Sequence, residues 1–271
     1  MYKLLKVGTD CEVFLRDEHN KPIPVIGLLG GTKKEPLPVL DEPGYAVQED
    51  NVMPEFNIPP ADNVTSFVTS IDRMLGYIGN HFAGKGLFID ISASKFFDPE
   101  QLQHPQAKVI GCEPDNNVWT MGQNLVDANA AIFKRMRTAA AHVHVSYLID
   151  GKMPNEVAST YTEDFVMVQD LYQGVPSVIF DDDKDRRKAY GRAGAFRFKD
   201  YGHEYRVLSN KWLQSSAMMA WVFSQTQECV NALNSGFRID KKLGNLIQKC
   251  INSNNRKLAD FLCKEYRIVL P

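Results

Sequence analysis

Arg137-Thr138-Ala139-Ala140-Ala141-His142-Val143-His144-Val145-Ser146-Tyr147-Leu148-Ile149 passes from a run of alanines into a strict alternation of polar and apolar residues. A period of two reads as a β-strand, because successive side chains of a strand point to opposite faces. His142 and His144 then share one face, roughly 6.5–7 Å apart along the chain, while Val143 and Val145 take the other. Two imidazoles on one face of so apolar a segment suit a metal ion or a chain of phosphates. The bland alternative is a pair of histidines satisfied at the margin of a core.

Working outward, three further segments repeat the device. In Lys6-Val7-Gly8-Thr9-Asp10-Cys11-Glu12-Val13-Phe14-Leu15 the carboxylates of Asp10 and Glu12 share a face, with Val7, Cys11 and Val13 opposite. Glu55 and Asn57 alternate with Phe56 and Ile58 in a strand that ends at Pro59-Pro60, and Gln48 and Asp50 form a similar pair upstream. Glu204 and Arg206 share a face of the fourth segment, which closes the stretch Arg186–Val207. That stretch also carries Arg187, Arg192 and Arg197, whose guanidinium groups suit bidentate contacts to anionic oxygens. Gly191 and Gly194 flank Arg192 and suggest a backbone that approaches a ligand closely. Taken singly, each segment has a plain reading: a solvent-facing acidic edge, an amphipathic strand, or, for the arginine-rich stretch, a solvated charge run or a nucleic-acid contact. Together they supply what a polyphosphate site needs, namely carboxylates for hard Mg²⁺ or Mn²⁺ and arginines for the transferred phosphoryl group. Neither Gly-x-x-x-x-Gly-Lys-[Ser/Thr] nor Gly-x-Gly-x-x-Gly occurs, so a P-loop or a dinucleotide fold is not indicated.

The rest of the chain sets the frame. Its 271 residues, 44% hydrophobic and 24% charged, suffice for a substantial core, and residues 1–271 read as one domain. A net charge of -2 gives no global attraction to nucleic acid, so nucleic acid is not an expected partner. No stretch approaches the ~18 apolar residues of a membrane span, and five cysteines without Cys-x-x-Cys spacing fit a reducing compartment. A soluble cytoplasmic protein is expected. Strands are expected over 4–15, 45–58, 87–92, 139–149 and 203–208, and helices over 62–81, 153–172, 211–233 and 243–266. Long helices that do not alternate regularly with strands predict an α+β fold, with helices packed on one side of an antiparallel sheet.

Two sets of motifs carry a family resemblance. His142-Val143-His144 followed by Glu204-Tyr205-Arg206 is similar to the His-x-His and Glu-x-Arg strands of glutamine synthetase and the glutamate–cysteine ligases. More closely, the chain resembles the phage-encoded carboxylate–amine ligases in four stretches: Gly8–Glu12, Glu49–Pro60, Gly111-Cys112-Glu113-Pro114-Asp115, and Tyr190–Arg197 through Asn210. The resemblance spans about residues 5–215, leaving C-terminal helices at about 211–266. It implies a glutamine-synthetase-like curved sheet that forms an open tunnel, with helices on its outer face. It also implies ATP and Mg²⁺ or Mn²⁺, with small-molecule or peptide carboxylate and amine substrates. The product would be an amide made through an acyl phosphate, in the host cytoplasm if the protein is phage-encoded.

Residue by residue, the resemblance makes Asp10, Glu12, Glu55, His142 and Glu204 metal ligands. One histidine would hold metal and the other reach phosphate, with His144 taken as the nucleotide contact beside Arg186, Arg187, Arg192 and Arg197. Arg192, Arg197 and Arg206 would serve the reaction itself, and Asn57 and Arg137 the substrate, although Arg137 could equally cap its strand. Asp10 stands where many relatives place Glu, which shifts the metal shell by about one methylene. Gly111–Asp115 has no role derivable from its residues. No N-terminal domain of the kind that completes glutamine synthetase sites between subunits is read, so oligomer-dependent catalysis is not implied, while a homo-oligomer is left open. Two other readings remain: a guanidino-kinase-like phosphotransferase on the same architecture, and a non-catalytic nucleic-acid or protein-binding module.

Overall fold

The computed structural model describes residues 1–109, 115–124 and 131–271. Its architecture is α+β, built on a large antiparallel sheet. The sheet comprises β1 (Tyr2–Glu12), β2 (Leu37–Pro38), β3 (Ala46–Asp50), β4 (Met53–Asn57), β5 (Asp115–Asn117), β6 (Gly122–Asn124), β7 (Ala141–Ile149), β8 (Ala195–Lys199) and β9 (Gly202–Tyr205). Their order across the sheet is β6-β5-β8-β9-β7-β1-β4-β3-β2. Chain order and spatial order differ, so residues far apart in sequence become neighbours at the centre.

Register decides what those neighbours are. Asp10 of β1 lies opposite His142 of β7 on one side and Asn57 of β4 on the other, and Glu12 lies opposite Glu55. His144 faces Glu204 of β9, which faces Arg197 of β8. Residues directly opposed in an antiparallel pair project to the same face, so all of these share one face of the sheet. The alternate residues Cys11, Phe56, Val143, Val145, Phe196 and Tyr205 are buried on the other face.

Helices cover that apolar face. α1 (Val64–Ala83) starts where the Asn63 side chain accepts the Ser66 N–H at 2.9 Å, and α5 (Ser216–Asn234) starts at Ser215 in the same way. Phe67 of α1 stacks on Trp212 at 6.1 Å and tilts against Phe223 of α5 at 5.7 Å. Trp212 in turn donates its indole N–H to the Ala141 carbonyl at the start of β7. Each such fully buried aromatic ring contributes about 1.5–3 kcal/mol by leaving water, so the helices clamp the sheet from behind.

The expected elements are found with several changes. The expected strand 4–15 is divided, since β1 ends at Glu12 and Phe14–Arg16 pairs in a separate three-stranded sheet with Phe88–Asp90, the expected strand 87–92. The expected strand 45–58 is a hairpin, turned at Asn51, whose φ of 55° lies in the left-handed region that asparagine tolerates. Residues 243–266 form two helices, α6 (Lys241–Asn252) and α7 (Arg256–Glu265), separated at Asn254 (φ 49°) and restarted by an Asn255 cap. The expected helix 153–172 is α-helical only as α2 (Thr160–Gln169) and then widens into a π-helical turn, Asp170–Gly174, before α3 (Val175–Phe180) and α4 (Lys184–Ala189). The short strands β5, β6 and β8 were not expected, because three to five residues carry too few alternations to register as a period.

The π-helical turn places Asp170 under the sheet, where its two carboxyl oxygens accept the Tyr205 hydroxyl and the Trp119 indole N–H, each at 2.7 Å. Burial pushes this carboxyl up to about 7, against the pull of those hydrogen bonds. The native state therefore holds a proton that the unfolded chain has released. The contribution of Asp170 to stability falls as pH rises from the ordinary carboxylate range to about 7. Asp170→Asn is expected to be less stable by about 1–3 kcal/mol at acidic pH, because its amide group confronts the Trp119 N–H. The deficit should shrink towards about pH 8, where the wild type has lost its proton-linked advantage. Urea unfolding of both proteins at the two pH limits checks this, and a deficit independent of pH would refute it.

Candidate functional site

The polar face is densest where β9, β7 and β1 meet. Asp10 Oδ1 lies 2.9 Å from His142 Nδ1 and 3.4 Å from His144 Nε2. Burial alone would push the Asp10 carboxyl up, but the two imidazoles hold it well below the ordinary carboxylate range. Burial and the nearby Arg206 guanidinium keep His142 below the usual imidazole value. Burial acts the same way on His144, yet Asp10 prevails and raises it. Glu204, only 2% exposed, receives Arg206 Nη1, Lys199 Nζ at 2.9 Å and Arg197 Nη1 at 3.7 Å. Arg206 also meets Asp115 Oδ1 through Nε at 2.6 Å and the Tyr190 hydroxyl through Nη2. A ligand atom each from Asp10, His144 and Glu204 falls within 4.8 Å of the others.

One rung along the strands lies a second group. Glu12, Asp50 and Glu55 bring three carboxylates within 4.8 Å of one another. Glu12 Oε2 accepts the Ala140 N–H at 2.7 Å, yet burial, followed by repulsion from Asp50, pushes this carboxyl to about 8. Burial, with Asp10, Asp50 and Glu12, pushes Glu55 well above its ordinary value. Glu55 Oε2, His142 Nε2 and His144 Nε2 are buried and have no hydrogen-bond partner among the described residues. Buried acceptors without partners are costly, and a divalent cation satisfies several at once. Carboxylate oxygens with an imidazole nitrogen are a donor set that fits Mg²⁺ or Mn²⁺, so the residues present fit the expected metal.

The remaining expected residues divide. Asn57 lies on the site face and helps to line a cleft of about 280 Å³ together with Lys6, Gly8, Pro60, His144 and Tyr201. Arg192 is exposed on the loop before β8. Arg186 is fully buried and donates to the backbone carbonyls of Ala139, Val207 and Leu208. Arg187 is buried beside it against Ser177. Arg137 is likewise buried, bound to Asn51 Oδ1 and to the carbonyls of Ala107, Phe133 and Met136. Arg137 and Arg186 tie segments of backbone together and Arg187 meets a side-chain hydroxyl; none of the three has an ion pair with the acidic face among the described residues. The close approach suggested for Gly191 and Gly194 exists, but its partners belong to the chain itself. With φ of 72° and 76°, a Cβ at Gly191 would collide with Arg186, and one at Gly194 with the Trp119 ring. Within the arginine-rich stretch Arg186, Arg187 and Arg206 are buried, whereas Arg192 is exposed.

Asp115, Lys199, Tyr190 and Tyr201 reach the site without having been expected there. Lys199 was legible, since it stands two residues after Arg197 and so shares its face. Spacing pairs Asp50 with Gln48 alone; its place beside Glu12 depends on the hairpin. Tyr201 lies in a turn and had no period to betray it. Residues 111–114 of the Gly111–Asp115 motif lie outside the described residues.

No curated protein matches the chain. Among solved structures, "Apo GmaS without ligand" aligns over 99% of this chain and 70% of its own, with 10% identity and a TM-score of 0.45. "Crystal structure of novel glutamine synthase homolog" aligns over 97% of this chain and 66% of its own, with 13% identity and a TM-score of 0.44. The family model described as phage phiEco32-like COOH.NH2 ligase-type 2 matches residues 113–249, just over half of the chain. That span begins beside Asp115 and takes in His142, His144, Arg197, Glu204 and Arg206, and the chain belongs to this carboxylate–amine ligase family.

Proposed function

We propose that the protein is an ATP-dependent ligase that joins a carboxylate to an amine through an acyl phosphate. The observation that carries the reading is the gathering on one sheet face of two ligand clusters, Asp10–His144–Glu204 and Glu12–Asp50–Glu55, each with its ligand atoms within 4.8 Å, beside the Arg197–Glu204–Arg206 ion pairs. Family membership supplies the reaction class. Asp10, His144 and Glu204 would hold one divalent ion and Glu12, Asp50 and Glu55 a second, with His142 able to serve through either ring nitrogen. When bound, such ions neutralise phosphate oxygens and polarise the phosphoryl group under attack.

A substrate carboxylate oxygen attacks the γ-phosphorus of ATP and ADP leaves. The amine nitrogen then attacks the acyl carbon, phosphate leaves, and the nitrogen gives up a proton. Arg197 and Arg206, already held by Glu204 and Asp115, are oriented before substrate arrives and need little rearrangement to meet developing charge on phosphate. The cleft beside His144 would receive the nucleotide, with Lys6 and Lys199 at hand for its phosphates. Asn57, on the same rung as Asp10, would contact substrate or nucleotide. The sheet face would form one wall of an open passage, with nucleotide entering at the Gly8 end and the carboxylate and amine at the Glu12 end.

The test is ADP release from ATP and Mg²⁺ in the presence of a panel of amino acids, peptides and polyamines, with hydroxylamine added as a trap. A hydroxamate formed at the expense of the amide is the expected result. A stable phosphorylated product with no hydroxamate would instead identify a phosphotransferase. Absence of ATP binding in the presence of Mg²⁺ would refute both.

A further inference from the structure

We propose that Trp119 is a positioning residue: held by Asp170 behind the sheet, it fixes the β5–β6 hairpin so that Asp115 meets the guanidinium groups of Arg206 and Arg197 in front. The part these arginines play in the reaction rests on the function proposed above; the placement of Asp115 does not.

Asp115 has little backbone to hold it. Its strand, β5, is three residues long and pairs with β8 through Asn116–Phe196 and Asn117–Ala195, while the neighbour on its other side, β6, is equally short. Yet Asp115 is only 5% exposed, with Oδ1 2.6 Å from Arg206 Nε and 3.7 Å from Arg197 Nη2. The further hold comes from the turn at 118–121 that joins β5 to β6. There Trp119 donates its indole N–H to Asp170 Oδ2 at 2.7 Å. Its ring fills a slot between two glycines: a Cβ on Gly194 would come within 2.5 Å of Cδ1, and one on Gly244 of α6 within 2.7 Å of Cζ3. Asn117 ties the turn to the next loop, since its Oδ1 accepts the N–H groups of Trp119 and Thr120 and its Nδ2 donates to the Ala193 carbonyl.

Asp170 sets three segments from behind. Its Oδ1 accepts the Tyr205 hydroxyl at 2.7 Å, and the Gly194 N–H also donates to the carboxyl. Tyr205 stands between Glu204 and Arg206, Gly194 leads into β8 with its Arg197, and Trp119 follows Asp115 by four residues. One buried carboxyl therefore registers, from the helix side, the segments whose other face carries the charged groups of the site. It sits on a π-helical turn, a rare irregularity found often at functional sites. Covering apolar surface asks only for a large side chain, and phenylalanine or leucine serves that end. The polar bond beneath the sheet and the paired glycines fix where the indole lies and how it is turned, and so where Asp115 stands. A close-packed interior passes such placement on, because its side chains have no slack to absorb a shift.

The measurement is solvent exchange of the Arg206 Nε–H in arginine-labelled protein without ligand, with the signal identified by its loss in Arg206→Lys. Trp119→Phe keeps an aromatic ring but removes the donor to Asp170, and should speed this exchange by about 10-fold, in the direction given by Asp115→Asn. Gly244→Ala, whose Cβ presses on the indole from α6, should act the same way even though alanine favours the helix. Circular dichroism would verify the folds. In ATP-dependent amide formation, Trp119→Phe should lower kcat by about 10-fold with KM for ATP little changed. It should add almost nothing in an Asp115→Asn background, because it acts through that carboxylate. Folded Trp119→Phe and Gly244→Ala proteins with wild-type Arg206 exchange would overturn the inference. So would losses in kcat that multiply in the double variant. A wild type without turnover would overturn the proposed reaction, while Arg206 exchange, recorded without ligand, still judges the role of Trp119.

Discussion

Glu204→Gln is expected to lower ATP-dependent amide formation by about 10²–10³-fold, with the loss falling on kcat and KM for ATP little changed. Glu204 is the anionic hub of its rung, facing Arg197, Lys199 and Arg206 from a position that water barely reaches. Glutamine has the same shape and keeps a carbonyl acceptor for Arg206, so packing survives. The formal charge of the cluster does not: three cations that share the carboxylates of Glu204 and Asp115 then have that of Asp115 alone. A surplus of positive charge still welcomes the phosphates of ATP but repels a divalent ion. The variant should therefore require a higher Mg²⁺ concentration for half-maximal activity while binding nucleotide as before. Titrating Mg²⁺ at saturating ATP, alongside a thermal melt, separates this from simple damage. Equal losses in metal-independent stability and in activity, without any change in the Mg²⁺ requirement, would assign Glu204 a structural role alone.

The rung that Glu204 occupies shows which parts of such a site can be read from a linear sequence. Alternation within one strand is local, so Asp10 with Glu12, His142 with His144, and Glu204 with Arg206 could each be assigned to a common face from spacing. Which strands become neighbours is not local. That β7 is flanked by β1 and β9 follows from long-range pairing, and only that order brings Asp10, His144 and Glu204 together. The family resemblance implied that these strands serve one site, but neither it nor periodicity gave their order. The arginines show the converse limit. Arg186, Arg187 and Arg206 look alike in sequence, but two of them satisfy backbone and side-chain acceptors under the sheet while the third faces the carboxylates. A guanidinium is long enough to serve either purpose, and its destination is set by the loop geometry around it. Tyr201 and Asp115 were invisible for a related reason, since turns and three-residue strands repeat nothing.

The second acidic group leads to a result of unusual sign: Glu55→Gln is expected to stabilise the metal-free protein or leave it unchanged, whereas most substitutions of buried polar residues destabilise. Glu12, Asp50 and Glu55 place three carboxyl groups within 4.8 Å, and Glu55 Oε2 has no partner among the described residues. Without a cation, folding must bring these like charges together and strip them of water, or else hold protons on them. An amide at position 55 removes one charge and keeps the shape, and its NH₂ can donate to a neighbouring carboxylate. In the wild type, saturation with Mg²⁺ or Mn²⁺ at about 100 times Kd should add about 2.7 kcal/mol. For a chain of this size that raises Tm by about 5–10 °C. The variant, with fewer anionic ligands, should lose most of this increment, so the two melting curves converge or cross as metal is added. A Glu55→Gln protein that melts several degrees below the wild type without metal, yet gains as much from Mn²⁺, would show that the three carboxylates neither repel nor share an ion. The crossing distinguishes a binding site from an acidic patch, because only a site makes one substitution favourable in the empty protein and unfavourable in the filled one.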